Sequence, residues 1–180
     1  MRKIFYLLNR LTDSDLEWLI ARGSKRIVAA GTVLIEQGRN IDTLYILLDG
    51  VLEVSGVDLG DKPIRLRSGD VVGEVSLLDS RPPTATVTAA EESILLAVPR
   101  SELLDKLEED LEFAARFYRS LAVFLAQRLR NTYQRLGYGK DEVLDENVEY
   151  EDELSPEMLD SLHIAGARFD RVLQRLLSAD

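Results

Sequence analysis

The chain has no cysteine and a single histidine, His163. Without a thiol there is no disulfide, no thiolate nucleophile and no sulfur-ligated metal. One histidine cannot supply the cluster of His and carboxylate ligands that a metal-dependent β-roll enzyme requires, and it leaves a haem centre without its ligands. The Gly-x-Ser-x-Gly turn that exposes a serine nucleophile is also missing. His163 stands between Leu162 and Ile164 in an amphipathic stretch and reads as a structural residue rather than a ligand. The chain is therefore not expected to be an enzyme or to hold a metal. No apolar run approaches the roughly 20 residues needed to span a bilayer. Residues 4–8 are too short a run for the core of a secretory signal. A cytoplasmic protein with no membrane partner is expected.

Positive charge is scarce in one place. Residues 141–160 hold ten acids and neither Lys nor Arg, which accounts for the whole net charge of −10 and leaves the rest of the chain neutral, with 22 acids against 22 bases. A phosphate backbone calls for a basic face, so no nucleic-acid partner is expected.

Glycine and β-branched residues set the texture of the middle of the chain. Thr12-Asp13-Ser14-Asp15 reads as a helix start with Thr12 as N-cap, Leu16, Leu19 and Ile20 give that helix its apolar face, and Gly23 is placed to end it. From 25 to 98, short Val-, Ile-, Leu- and Thr-rich runs are cut by glycines at 31, 38, 50, 56, 60, 69 and 73. That pattern predicts many short antiparallel strands in a roll, sandwich or barrel, near 26–29, 33–36, 44–48, 51–55, 64–67, 71–72, 84–89 and 93–98.

After Pro99 the texture turns helical. A short helix is expected over 100–109 and a long one over 111–136, the latter with no Gly or Pro inside. Leu111, Ala115, Tyr118, Ala122, Leu125 and Leu129 alternate steps of four and three, a heptad-like stripe. Phe113, Phe117, Leu121 and Phe124 form a second apolar face, so one helix can pack on its own domain and on a partner helix together. Gly137-Tyr138-Gly139 breaks it. The acidic run follows as a linker. Ser155-Pro156 then opens an amphipathic helix with Met158, Leu162, Ala165, Phe169, Val172 and Leu176 on one side.

The segment 69–87 reads Gly-Asp-Val-Val-Gly-Glu-Val-Ser-Leu-Leu-Asp-Ser-Arg-Pro-Pro-Thr-Ala-Thr-Val. A strand ends at Gly73, one helical turn spans about 75–78, and a loop returns to a strand at Thr84. The first turn of a short helix offers backbone N–H groups to an anion. Glycine at 73 permits close approach, and Glu74 is a carboxylate placed to accept from a hydroxyl or to serve as a solvated cap.

This segment resembles the phosphate-binding cassette of the cyclic-nucleotide-binding family, which includes bacterial catabolite-activator-type regulators and the regulatory subunits of protein kinase A. The family pattern runs Gly-Glu-Leu-Ala-Leu, a short loop, then Pro-Arg-Ala-Ala-Thr-Val. Here Gly73-Glu74-Val75-Ser76-Leu77 and Pro82-Pro83-Thr84-Ala85-Thr86-Val87 match without a gap. Upstream, Gly31-Thr32-Val33-Leu34-Ile35-Glu36-Gln37-Gly38 and the run from Leu44 to Val54 also look like the family's. The likeness covers about residues 5–136.

The resemblance implies a mainly β domain with flanking helices, an antiparallel β-roll (double-stranded β-helix or jelly roll) followed by a long C-terminal helix. It also implies a regulatory ligand-binding module that senses cAMP, cGMP or a related small anion and signals by movement of that helix. Gly73, Glu74, Val75, Ser76, Arg81, Pro83, Thr84 and Ala85 are the implied ligand-binding residues. Glu74 would take the ribose hydroxyl. Thr84 falls where cGMP-preferring members often carry Thr. One departure stands out: the family's phosphate-pairing arginine falls at Pro83, which offers neither charge nor N–H. Either Arg81, two residues earlier, swings in or it is solvated. The alternative is a degenerate module that keeps the fold as a dimerising or docking scaffold with no nucleotide. The expected organisation is a domain with its dimerisation helix over 1–136, an acidic linker over 137–154 and a C-terminal amphipathic helix over 155–180. The expected partners are a second copy through the long helix and a protein for the C-terminal helix.

Overall fold

The structure, a computed structural model, describes residues 10–56, 63–79, 81–135 and 174–175. Among them the chain runs α1 (Asp13–Arg22), β1 (Ser24–Val28), β2 (Val33–Ile35), β3 (Thr43–Asp49), β4 (Val51–Ser55), β5 (Ile64–Arg67), β6 (Val71–Val72), α2 (Glu74–Asp79), β7 (Thr86–Ala89), β8 (Ser93–Pro99), α3 (Arg100–Glu109) and α4 (Leu111–Arg135). The strands form two four-stranded antiparallel sheets, ordered β1-β8-β3-β6 and β2-β7-β4-β5. The expected antiparallel roll followed by a long helix is what the chain forms.

The residue pattern of β3 explains the layering. Leu44 to Leu48 are five successive buried apolar residues. Side chains alternate faces along a strand, so such a run has to be covered on both sides. Leu44, Ile46 and Leu48 pack against the helices, while Tyr45 and Leu47 face the second sheet. β8 divides likewise, Leu96 and Val98 toward the helices and Leu95 and Ala97 toward Leu52, Val54, Leu66 and Val87. The second sheet turns its other face to solvent, where Arg65 pairs with Glu53 at 3.1 Å.

The helices cover the first sheet. Thr12 and Asp15 form a reciprocal capping box at the start of α1, with Asp15 N donating to Thr12 Oγ1 at 3.2 Å and Thr12 N to Asp15 Oδ2 at 2.8 Å. Gly23 ends the helix, but not in the left-handed conformation that favours glycine: its φ is −81°. Close packing requires it instead, since a Cβ there would lie 2.8 Å from the Leu19 carbonyl oxygen. Asp110 separates α3 from α4. It accepts the Phe113 N–H at 2.9 Å as a cap and Lys106 Nζ at 2.9 Å. Both groups stabilise its charged form and hold its carboxyl below the usual range, the lysine hydrogen bond most. Phe113 stacks on Phe117 and meets Trp18 at a tilt of 56°, with centroids 5.6 Å apart in both pairs.

Two strands begin two residues away from expectation, and the other boundaries fall within one residue of it. β1 begins at Ser24 and ends at Val28, paired with Ala97 through Ser93. β7 begins at Thr86 rather than Thr84, because the Pro83 carbonyl accepts Gly38 N at 2.8 Å and Thr86 Oγ1 accepts Gln37 N at 3.1 Å, which straps 83–85 to the β2–β3 segment instead of to the ladder. Of α4's two apolar faces, Phe113, Phe117, Leu121 and Phe124 are buried in the domain. On the other stripe Leu111, Tyr118 and Leu129 are exposed. The glycine break after the long helix, the acidic linker and His163 lie outside the described residues, as does the C-terminal helix except for Gln174 and Arg175, which are helical. Arg175 meets Glu17 of α1 at 3.5 Å. No helix among the described residues is long and apolar enough to cross a membrane.

Candidate ligand-binding site

β6 delivers the chain to Gly73, where the direction changes sharply. Gly73 has φ +90°, and a Cβ there would lie 2.8 Å from the Thr43 carbonyl oxygen. Only glycine satisfies both constraints. α2 follows at once, its first internal bond running from Leu77 N to Gly73 O at 3.2 Å. Over this turn burial alternates: Glu74, Ser76 and Leu77 point inward, Val75 and Leu78 outward. Leu77 joins the core on the helix side of the first sheet and anchors the turn.

Glu74 is the unusual residue. A carboxylate only 2 % exposed needs a strong partner, and Arg128 of α4 supplies it, donating from Nη1 to Glu74 Oε1. Burial still raises the Glu74 carboxyl above the usual range; the Arg128 charge opposes this, and Asp70 nearby adds to it. Arg128 stands four residues beyond Phe124, on the buried phenylalanine face of α4. The sequence reading missed it. The signal was there, a cation in phase with an apolar stripe, but the stripe does not say which acid it meets.

The other wall is the loop from Arg81 to Ala85. Arg81 turns to solvent, its side chain 83 % exposed, with its N–H on Asp79 Oδ1 at 3.0 Å and its guanidinium 4.0 Å from Asp79 Oδ2. Pro83 is half-buried, Thr84 exposed and Ala85 packed against the inter-sheet core. The β2–β3 segment touches both walls. Gln37 and Gly38 bond to Thr86 and Pro83, and Ile41 and Thr43 enclose Gly73. Gly73, Glu74, Val75 and Ser76 thus share one turn, with Pro83, Thr84 and Ala85 held by the same strap. Among the described residues, no group of three or more His, Cys, Asp or Glu could hold a metal ion.

Residues 25–110 match the family model of the cyclic nucleotide-binding domain. This chain carries a cyclic nucleotide-binding domain. It is 40% identical over 83 residues to a cGMP-dependent protein kinase of Toxoplasma gondii, a match covering 46% of this chain and 8% of that protein. It is 30% identical to the N-terminal domain of a transcriptional regulator from Streptomyces coelicolor, with a TM-score of 0.55 and coverage of 71% of this chain and 95% of that one. The catabolite activator protein of Thermus thermophilus shares the fold at 21% identity, with a TM-score of 0.60 over 96% of this chain and 87% of that one. The matches span 8%, 25% and 24% of the lengths of three curated relatives of this domain.

Proposed function

We propose that the chain is a cytoplasmic, non-catalytic regulatory module that binds cAMP, cGMP or a related small anion at the cassette and reports occupancy through α4. The observation that supports this reading is the ordered cassette, Gly73 to Ser76 and Pro83 to Ala85, mounted on a roll of the matching family. In it the Glu74 carboxylate takes the ribose hydroxyl and the amides of Val75 and Ser76 face the phosphate. Calorimetry with cAMP, cGMP and cyclic dinucleotides tests it. Saturable heat from one of them is expected; silence from all, in a chain that is folded, removes the reading.

A second reading keeps the fold as a dimerising scaffold with no nucleotide. Pro83 favours it, as does the exposed stripe of Leu111, Tyr118 and Leu129. Dimerisation through α4 belongs to both readings. Light scattering is expected to find a dimer at about tens of micromolar, since a seam of this kind holds at that concentration, and Leu129→Glu, on the exposed stripe, is expected to give a monomer. The helix expected over 155–180 then serves a protein partner in either case.

A further inference from the structure

Pro83 leaves the cassette loop without a cation for a phosphodiester, and the structure offers another source. Among the described residues, Arg39, Arg81 and Arg128 each belong to the cassette, to its strap or to a contact with it. Arg39 follows Gly38, whose N–H bonds to Pro83, but its side chain is 76% exposed and pairs with Glu36 at 2.9 Å. Arg81 lies on the loop itself, is 83% exposed and turns to Asp79. Arg128 differs from both: its side chain is 31% exposed, and it reaches inward to a carboxylate that is itself 3% exposed.

We propose that Arg128 is the cation of the binding site, supplied to the ligand's phosphate by α4 in place of the loop arginine that Pro83 excludes. The proposal rests on the cyclic-nucleotide reading above and deepens it. Two features carry it. Glu74 is the cassette residue that faces the ligand in that reading, and the guanidinium in contact with it belongs to α4. A guanidinium presents its donors as a planar fork and can serve a carboxylate and a phosphate oxygen together. Arg128 also lies in phase with the phenylalanine face that fixes α4 to the domain, so the packing that buries Phe117, Leu121 and Phe124 sets its position. The site is then made of two pieces, the cassette and α4. A ligand that draws Arg128 toward its phosphate pulls directly on the helix.

The test is calorimetry of the full chain with cAMP and with cGMP. Arg128→Gln is expected to weaken the better-bound nucleotide about tenfold or more, the worth of one hydrogen bond to a charged group. Arg128→Lys is expected to lose less, and Arg39→Ala nothing. The decisive variant is Pro83→Arg in the Arg128→Gln background, which puts a cation back on the loop. Recovered affinity there shows that the single change removed a charge and not the fold. Wild-type affinity in Arg128→Gln overturns the proposal. So does a loss of that size in Arg81→Ala, or a loss in Arg128→Gln that Pro83→Arg does not repair. If the wild-type chain binds neither nucleotide and Pro83→Arg does, the cassette reading stands and Arg128 is not its cation. If neither chain binds, the cyclic-nucleotide reading itself has failed, and this proposal with it.

Discussion

Gly73 sits at φ +90° with the Thr43 carbonyl where a Cβ would go, whereas Gly31 has φ +83° and open space around it. Both positions strain any other residue, by about 1–3 kcal/mol. Gly73→Ala is therefore expected to lower the denaturant midpoint further than Gly31→Ala, and equal losses would show that the Thr43 carbonyl can yield. Asp15 makes a pH prediction. Burial pushes its carboxyl up, but hydrogen bonds from Arg116 and Thr12 and the Arg116 charge outweigh this, and the net shift is downward from 3.8. An acid whose folded value is depressed contributes stability above its unfolded value and loses it as pH falls through the folded one. Wild-type stability should thus fall below about pH 3.8 by a part that Asp15→Asn lacks. Glu74 acts in the opposite sense, since burial raises its folded value above 4.5 and protonation on acidification relieves it. Urea midpoints measured from pH 7 downward check both signs. Thr12→Ala, which removes the cap acceptor, is expected to cost about 1 kcal/mol.

Among elements, α4 carries the clearest contrast. Phe117 is 1% exposed and Leu111 78%. Phe117→Ala is expected to cost about 3–5 kcal/mol, and Leu111→Ala less than about 0.5 kcal/mol in the monomer; thermal unfolding separates them. The two faces of this helix were legible in the sequence because period 3.6 sorts residues without knowledge of their partners. The strands were legible because glycines punctuate them and because β3 is apolar from Leu44 to Leu48. What could not be read is long-range pairing: the Asp15–Arg116 bond joins residues 101 apart and Glu74–Arg128 joins residues 54 apart. Charges carry no periodic signal that names a partner. The start of β7 was misread for a related reason: Thr84 and Ala85 look like strand, and only the hydrogen bonds of Gln37 and Gly38 decide otherwise. At the candidate site, the turn at Gly73 and the loss of charge at Pro83 were visible, whereas the inward cation was not.

For the molecule as a whole, charge and structure are divided. The net charge of −10 comes from residues 141–160, outside the described residues. If residues 137–154 serve as the linker that their sequence suggests, a glutamate-specific protease is expected to cut there first and leave a fragment ending between Glu142 and Glu153. Cleavage within 25–110 at the same rate would contradict that division.

The strap formed by the β2–β3 segment has a consequence for protein engineering. Gly38 N holds the Pro83 carbonyl, and the Thr43 carbonyl presses on Gly73. The cassette is therefore not a portable cartridge. A chimera that imports a relative's loop over 73–87 alone would set foreign residues against a native clasp shaped for this one. Transplanting 36–43 together with 73–87 moves lock and clasp as a pair.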